Sequence, residues 1–84
     1  MMNRRYYIFG GSNEEGPRGW NDFIGLKVGA QAAMDFVSTA MLRDGFDWLH
    51  VVDAEELEIV YRVVRFVQGD WIIVPHSTRF DTEI

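Results

Sequence analysis

His50 comes closest of all side chains here to acid–base chemistry, because an imidazole changes charge near neutral pH. It stands between two carboxylates, Asp47 and Asp53. A working histidine needs such a partner within hydrogen-bond reach. Residues 46–52, FDWLHVV, read as a β-strand, and strand positions three apart point to opposite faces. Both acids therefore face away from His50. Across the expected hairpin, Leu57 to Tyr61 offer only Glu58 and a phenol. The expectation is a half-buried histidine held within the sheet. His76, after Pro75, reads as an exposed residue with no role.

Other chemistries lack their residues. Ser12, Ser38, Ser77, Thr39, Thr78 and Thr82 stand in no G-x-S-x-G elbow. The chain has no cysteine, and two separate histidines make no zinc set. The glycine run GGSNEEG at 10–16 suggests a phosphate loop. That loop needs a lysine after its last glycine, and here Pro17-Arg18 follow two glutamates that repel phosphate. Its glycines serve a turn instead. Glu14, Glu15, Asp22, Asp47, Asp53, Glu55 and Glu56 do not fall in the alternating order of a calcium loop. No catalytic residue, metal site or cofactor is expected, and the protein is expected not to be an enzyme.

The aromatic residues are a richer set. Tyr6, Tyr7, Phe9, Trp20, Phe23, Trp48, Tyr61, Phe66 and Trp71 are too many to lie under one helix. Part of them must sit on a second sheet face, covered by the loop at 10–22 or open to a partner. Tyr7, Arg18, Trp20, Trp48 and His50 form the candidate binding set.

Charge narrows the partners. Thirteen acids against eight bases give the 84 residues a net charge of −5. The basic residues are scattered, so phosphate neutralisation along a nucleic acid is not expected. An anionic membrane surface is disfavoured for the same reason. The acidic balance permits a basic partner. No apolar stretch is long enough to span a bilayer and no signal peptide is visible, so a cytoplasmic location is expected.

The elements that must position these residues follow from pattern. RRYYIF at 4–9 is aromatic and β-branched and ends at Gly10-Gly11, a strand. A long loop at 10–22 follows, with Trp20 and Phe23 pinning its end. Ala30, Ala33, Met34, Val37, Ala40 and Met41 recur at helical spacing. They predict a helix over 29–44, with Gly29 as N-cap, Gly45 just past its end and Arg43 complementing the dipole. Residues 46–52 and 57–67 read as strands joined by a short turn, with Leu57, Ile59, Tyr61 and Val63 on one face. A bulge at Val63-Val64 would turn Arg62 and Arg65 to solvent and return Phe66 to the core. A last strand runs from Trp71 to Val74. The fold class expected is α+β, an antiparallel sheet of about four strands in the order β–loop–α–β–β–β, with one helix on one face. Residues 1–75 are expected to form a single domain and 76–84 a C-terminal tail, whose Phe80 and Ile84 could dock onto that domain.

YYIFGG at 6–11, GWNDFIG at 19–25, the helix, and DWLHVVDAEELEIVYR at 47–62 resemble a family of small uncharacterised proteins encoded by phages and prophages. These carry an aromatic first strand, a Gly-Gly-Trp-Asp-type loop and an Asp-Trp hairpin ending in Ile-Val. The resemblance covers roughly residues 6–62. It departs at Gly16-Pro17-Arg18 and at Leu26-Lys27-Val28-Gly29, which replaces an acidic helix start. The family implies no established activity and no catalytic residue. It implies, by analogy, a small acidic accessory protein that binds a host protein or a host signal molecule.

Two functions are therefore expected. In the first, the chain is an interaction protein that binds through its aromatic sheet face without catalysis. In the alternative, it is a small-molecule-binding domain or weak enzyme, with an aromatic and arginine pocket at an oligomer interface. Trp71-Ile72-Ile73-Val74 carries no charge, and a terminal strand of this kind invites pairing with a second copy, so a homodimer through that edge is expected.

Overall fold

The computed structural model describes residues 4–12, 19–43, 45–65 and 70–74. The fold is α+β. A five-stranded antiparallel sheet has the order β2-β1-β3-β4-β5. Its strands are β1 (Arg5–Gly11), β2 (Phe23–Val28), β3 (Trp48–Asp53), β4 (Glu58–Arg65) and β5 (Trp71–Ile73). A short 3-10 turn at Gly19–Asp22 precedes β2, and helix α1 spans Ala30–Met41. The strand β2 is additional to the four expected. Its sequence FIGLKV is interrupted by glycine and carries a lysine, which weakens the strand signal. The tail at 76–84, with His76, Phe80 and Ile84, lies outside the described residues, as do Phe66 and residues 13–18 of the 10–22 loop.

One face of the sheet is the core. Tyr6 and Ile8 of β1, Leu49 and Val51 of β3, and Tyr61 and Val63 of β4 are buried with Ala30, Ala33, Val37 and Ala40 of α1. The alanines at helical spacing let the helix backbone come close to the strands. Gly25 of β2 makes room as well. A Cβ there would stand 3.0 Å from the Phe36 ring of α1. Lys27 beside it holds its ammonium 4.9 Å from the same ring, a cation–π contact.

Gly29 is the N-cap of α1 with φ 92, a conformation that suits glycine. Its N–H donates to the Arg4 carbonyl at 2.7 Å, tying the helix start to the start of β1. The helix ends at Met41, so Arg43 lies beyond its last turn. Arg65 of β4 supplies the cation instead. Its Nη2 donates to the Met41 carbonyl at 3.2 Å, while its guanidinium lies 4.7 Å from the Trp71 ring. A terminal helix carbonyl is thereby satisfied from the sheet.

The hairpin β3–β4 is organised by Asp53, which is fully buried. Its carboxylate accepts N–H bonds from Glu55 at 2.8 Å and Glu56 at 3.2 Å, and a bond from Arg4 Nη1 at 2.8 Å. Burial pushes this carboxyl up. The two backbone donors and the Arg4 guanidinium outweigh burial and hold it below its usual 3.8. The turn closes with the Leu57 N–H donating to the Asp53 carbonyl at 2.7 Å, and Leu57 takes a left-handed φ of 56.

The bulge lies at Val60 rather than at Val63-Val64. Val52 pairs with Ile59 but Val51 pairs with Tyr61, which leaves Val60 as the extra residue. Val60 and Tyr61 are both buried although adjacent, the mark of a bulge. As a result Ile59 leaves the core face that Tyr61 and Val63 share. Arg62 turns to the opposite face, and Arg65 points to the helix side, where it caps α1.

Asp53→Asn should cost about 2 kcal/mol, the range for hydrogen bonds to a charged group, as read from urea denaturation at neutral pH. The carboxyl is lowered in the folded state, so its contribution is complete above the ordinary carboxyl value. It is lost as pH falls through the lower folded value. The variant should therefore show a flatter loss of stability below about pH 4 than the parent. An unchanged acid profile would remove Asp53 as the hairpin's anchor.

Candidate functional site

Among the described residues, the face of the sheet opposite α1 carries no helix. Its side chains fall in three rows set by strand register. Leu26, Tyr7, Val52 and Ile59 form one row, and Phe23, Phe9, His50 and Arg62 the next. Gly11, Trp48, Val64 and Ile72 form the third. Arg5 and Val28 lie at the rim beside the first row. Phe23, Leu26, Val28 and Ile72 are between 39% and 54% exposed, and Tyr7, Phe9, Trp48 and His50 are half-buried. Contiguous exposed apolar and aromatic residues on a small domain make this face the candidate interaction surface.

The rings are ordered among themselves. Phe23 meets Tyr7 and Phe9 edge-on, each at 5.8 Å between centroids, the arrangement that ring quadrupoles favour. Trp48 and His50 lie 4.7 Å apart with planes tilted by 42°. The indole rests where Gly11 has no side chain. A Cβ on Gly11 would come within 2.6 Å of the Trp48 ring, so that glycine is what lets the indole lie across β1.

Arg62 sits beside His50 at the β4 end of the middle row. Its Nε is buried and has no hydrogen-bond partner. An unmade bond from a withdrawn polar atom carries a real cost. Arg62 is thus, with His50 beside it, a strongly polar group that the strands place among the apolar side chains of this face. Although the chain has thirteen acids, none of the strand residues on this face is one of them.

Of the candidate set, Tyr7, Trp48 and His50 share this face, on the adjacent strands β1 and β3. Arg18 lies outside the described residues. Trp20 is on the 3-10 turn, and its side chain lies outside them too. Asp53 points away from His50 into the hairpin anchor, as strand alternation requires. The residue facing His50 is Arg62, not Glu58 or Tyr61. Sequence reasoning missed it because the Val60 bulge advances β4 by one residue at that point. Three successive apolar residues, Ile59-Val60 before Tyr61, were the available signal, since a two-residue alternation cannot absorb them. Among the described residues no group of three or more His, Cys, Asp or Glu is gathered as a metal set. No helix there is long and apolar enough to cross a membrane.

Comparison with protein-family models, with curated proteins and with solved structures finds no match to this chain.

If Arg62 serves binding rather than folding, removing its charge should not weaken the fold. Arg62→Met, which keeps the length and flexibility of the stem, should raise stability by about 1 kcal/mol by deleting an unsatisfied donor. Urea midpoints of the two proteins decide this. A loss of stability instead would make Arg62 a structural residue.

Proposed function

We propose that the protein is a small non-catalytic binding protein that docks its partner on the helix-free sheet face. In this reading it is a phage-like accessory protein of the cytoplasm, and its partner is a host protein or a host signal molecule. The observation that carries the reading is the continuous aromatic and aliphatic surface from Leu26 through Phe9 and Trp48 to Ile72 on the face that α1 leaves open. Its breadth supports a protein surface as partner over a molecule enclosed in a pocket, because small-ligand sites are concave and bury most of the ligand.

Leu26 and Ile72 are exposed, so Leu26→Arg and Ile72→Arg should leave the melting temperature within a few degrees of the parent. Leu42, 87% exposed just past α1, gives an off-face control as Leu42→Arg. In capture from a host lysate followed by mass spectrometry, proteins held by the parent and by Leu42→Arg should be lost from both face variants. Partners retained by the face variants would end this reading.

A homodimer through the Trp71–Val74 edge belongs to the same proposal. The strand β5 ends the sheet order and exposes Ile73, which leaves backbone donors and acceptors for a second copy. Sedimentation equilibrium should give a dimer at high micromolar concentration and a monomer for Ile73→Pro, which cannot donate its N–H at the edge. A parent that stays monomeric at that concentration excludes the dimer.

A further inference from the structure

We propose that the partner is a polypeptide that presents an Asp or Glu carboxylate, set beside an aromatic residue, to Arg62 on the helix-free face. This deepens the proposed binding role of that face and rests on it. The net charge of −5 points to a basic partner, but the charge is not spread evenly. The strand residues of this face include Arg5, His50 and Arg62 and no acid. The acidic balance therefore belongs to the rest of the molecule, and the binding surface itself is complementary to an anion.

Arg62 gives the anion a definite place. Its Nε is covered by protein atoms and has no partner, so the half-buried side chain must shift outward for a bound acceptor to make the hydrogen bond that the free protein lacks. A carboxylate suits it best. The guanidinium fork matches two carboxylate oxygens, and such charge-assisted bonds are stronger than neutral ones. The neighbours specify the rest of the contact. His50 lies directly across from Arg62, and Phe9 and Trp48 adjoin it. Aromatic side chains flanking the partner's acid would pack edge-on against these rings. Phe23, Leu26 and Ile72 border the surface with exposed apolar area.

Aromatic rings and arginine on an open sheet also suit single-stranded nucleic acid. Charge decides between the two. The two arginines among the described strand residues of this face, Arg5 and Arg62, neutralise only about two phosphates, which leaves little of the counterion-release term on which such binding depends. The remaining acids repel a polyanion. A peptide that brings one carboxylate needs only Arg62.

The test titrates the isotope-labelled full chain, followed by amide and side-chain NMR, with acetyl-Ser-Phe-Glu-Trp-Ser-amide and with its Gln and Lys counterparts. The Glu peptide should bind about tenfold tighter than the Gln peptide, the usual gap between charged and neutral hydrogen bonds. It should shift the Trp48 indole N–H and the Arg62 Nε–H, and the Lys peptide should be weakest. Arg62→Gln should erase the preference for Glu, Arg62→Lys should keep part of it, and Leu26→Arg should weaken all three peptides. Retained dispersion of the amide spectrum certifies each variant as folded. Equal affinity for Glu and Gln, a preference that survives Arg62→Gln, shifts away from the face, no binding of any peptide, or tighter binding of an octathymidylate would each overturn the proposal. Equal binding of Glu and Gln peptides on the face would sink the carboxylate alone. Lysate partners kept by the face variants would sink the binding role beneath it.

Discussion

The buried Asp53 carboxylate is the interaction on which the rest of this structure hangs. It closes the β3–β4 turn through two backbone donors and holds Arg4 at the entry to β1. The residue next to that salt bridge's arginine, Arg5, receives the Ala54 N–H at its carbonyl, and Arg4 itself receives the Gly29 N–H. One carboxylate thus ties the first strand, the hairpin and, at one remove, the helix start. A full negative charge in the interior is costly unless its lone pairs are filled, and here two N–H groups and a guanidinium fill them. The same anchor fixes where β3–β4 pairing begins, at Asp53 and Glu58.

From that fixed start, the bulge at Val60 decides which residues face which way. Without it, strict antiparallel counting from Asp53 and Glu58 would set Tyr61 against His50 and leave Arg62 on the helix side. The extra residue sends Tyr61 into the core and Arg62 to the open face. A bulge costs a ladder position and sharpens twist. What it gains here is a large aromatic residue inside and a guanidinium among the exposed rings.

Much of the framework was legible because it rests on local patterns. The alanine stripe at 30–40 has one periodicity, and the Asp53–Glu56 turn between two β-rich runs has one simple reading. The α+β class, the single helix and the hairpin follow from those alone. Positions set by long-range pairing were not legible. The strand at Phe23–Val28 forms because Gly25 admits Phe36 and because β1 has a free edge to pair with, neither of which is a property of the segment itself. Arg43 and Arg65 exchanged roles at the helix end for a similar reason: the helix stops at Met41, and a strand distant in sequence carries the cation to it. In the candidate site, Tyr7, Trp48 and His50 share a face that alternation alone could assign. Arg62 needed the bulge, which is a fact about tertiary packing.

The open face also follows from size. One twelve-residue helix covers one side of a five-stranded sheet, and a chain of 84 residues has little left to build a second layer. Such a face can be made polar, as in many antiparallel sheets with one solvated side. Here the alternation continues with apolar and aromatic residues on both sides, so Tyr7, Phe9, Trp48 and Val52 repeat outside what Tyr6, Ile8, Leu49 and Val51 do inside. Among the described strand residues of this face, the departures are cationic or titratable: Arg5, His50 and Arg62. A surface kept apolar is an aggregation hazard unless something occupies it. The division of labour is therefore consistent: the chain's acids lie away from the described strand residues of this face, and those residues, with the unpartnered Arg62 Nε among them, are left for a partner that brings an acceptor.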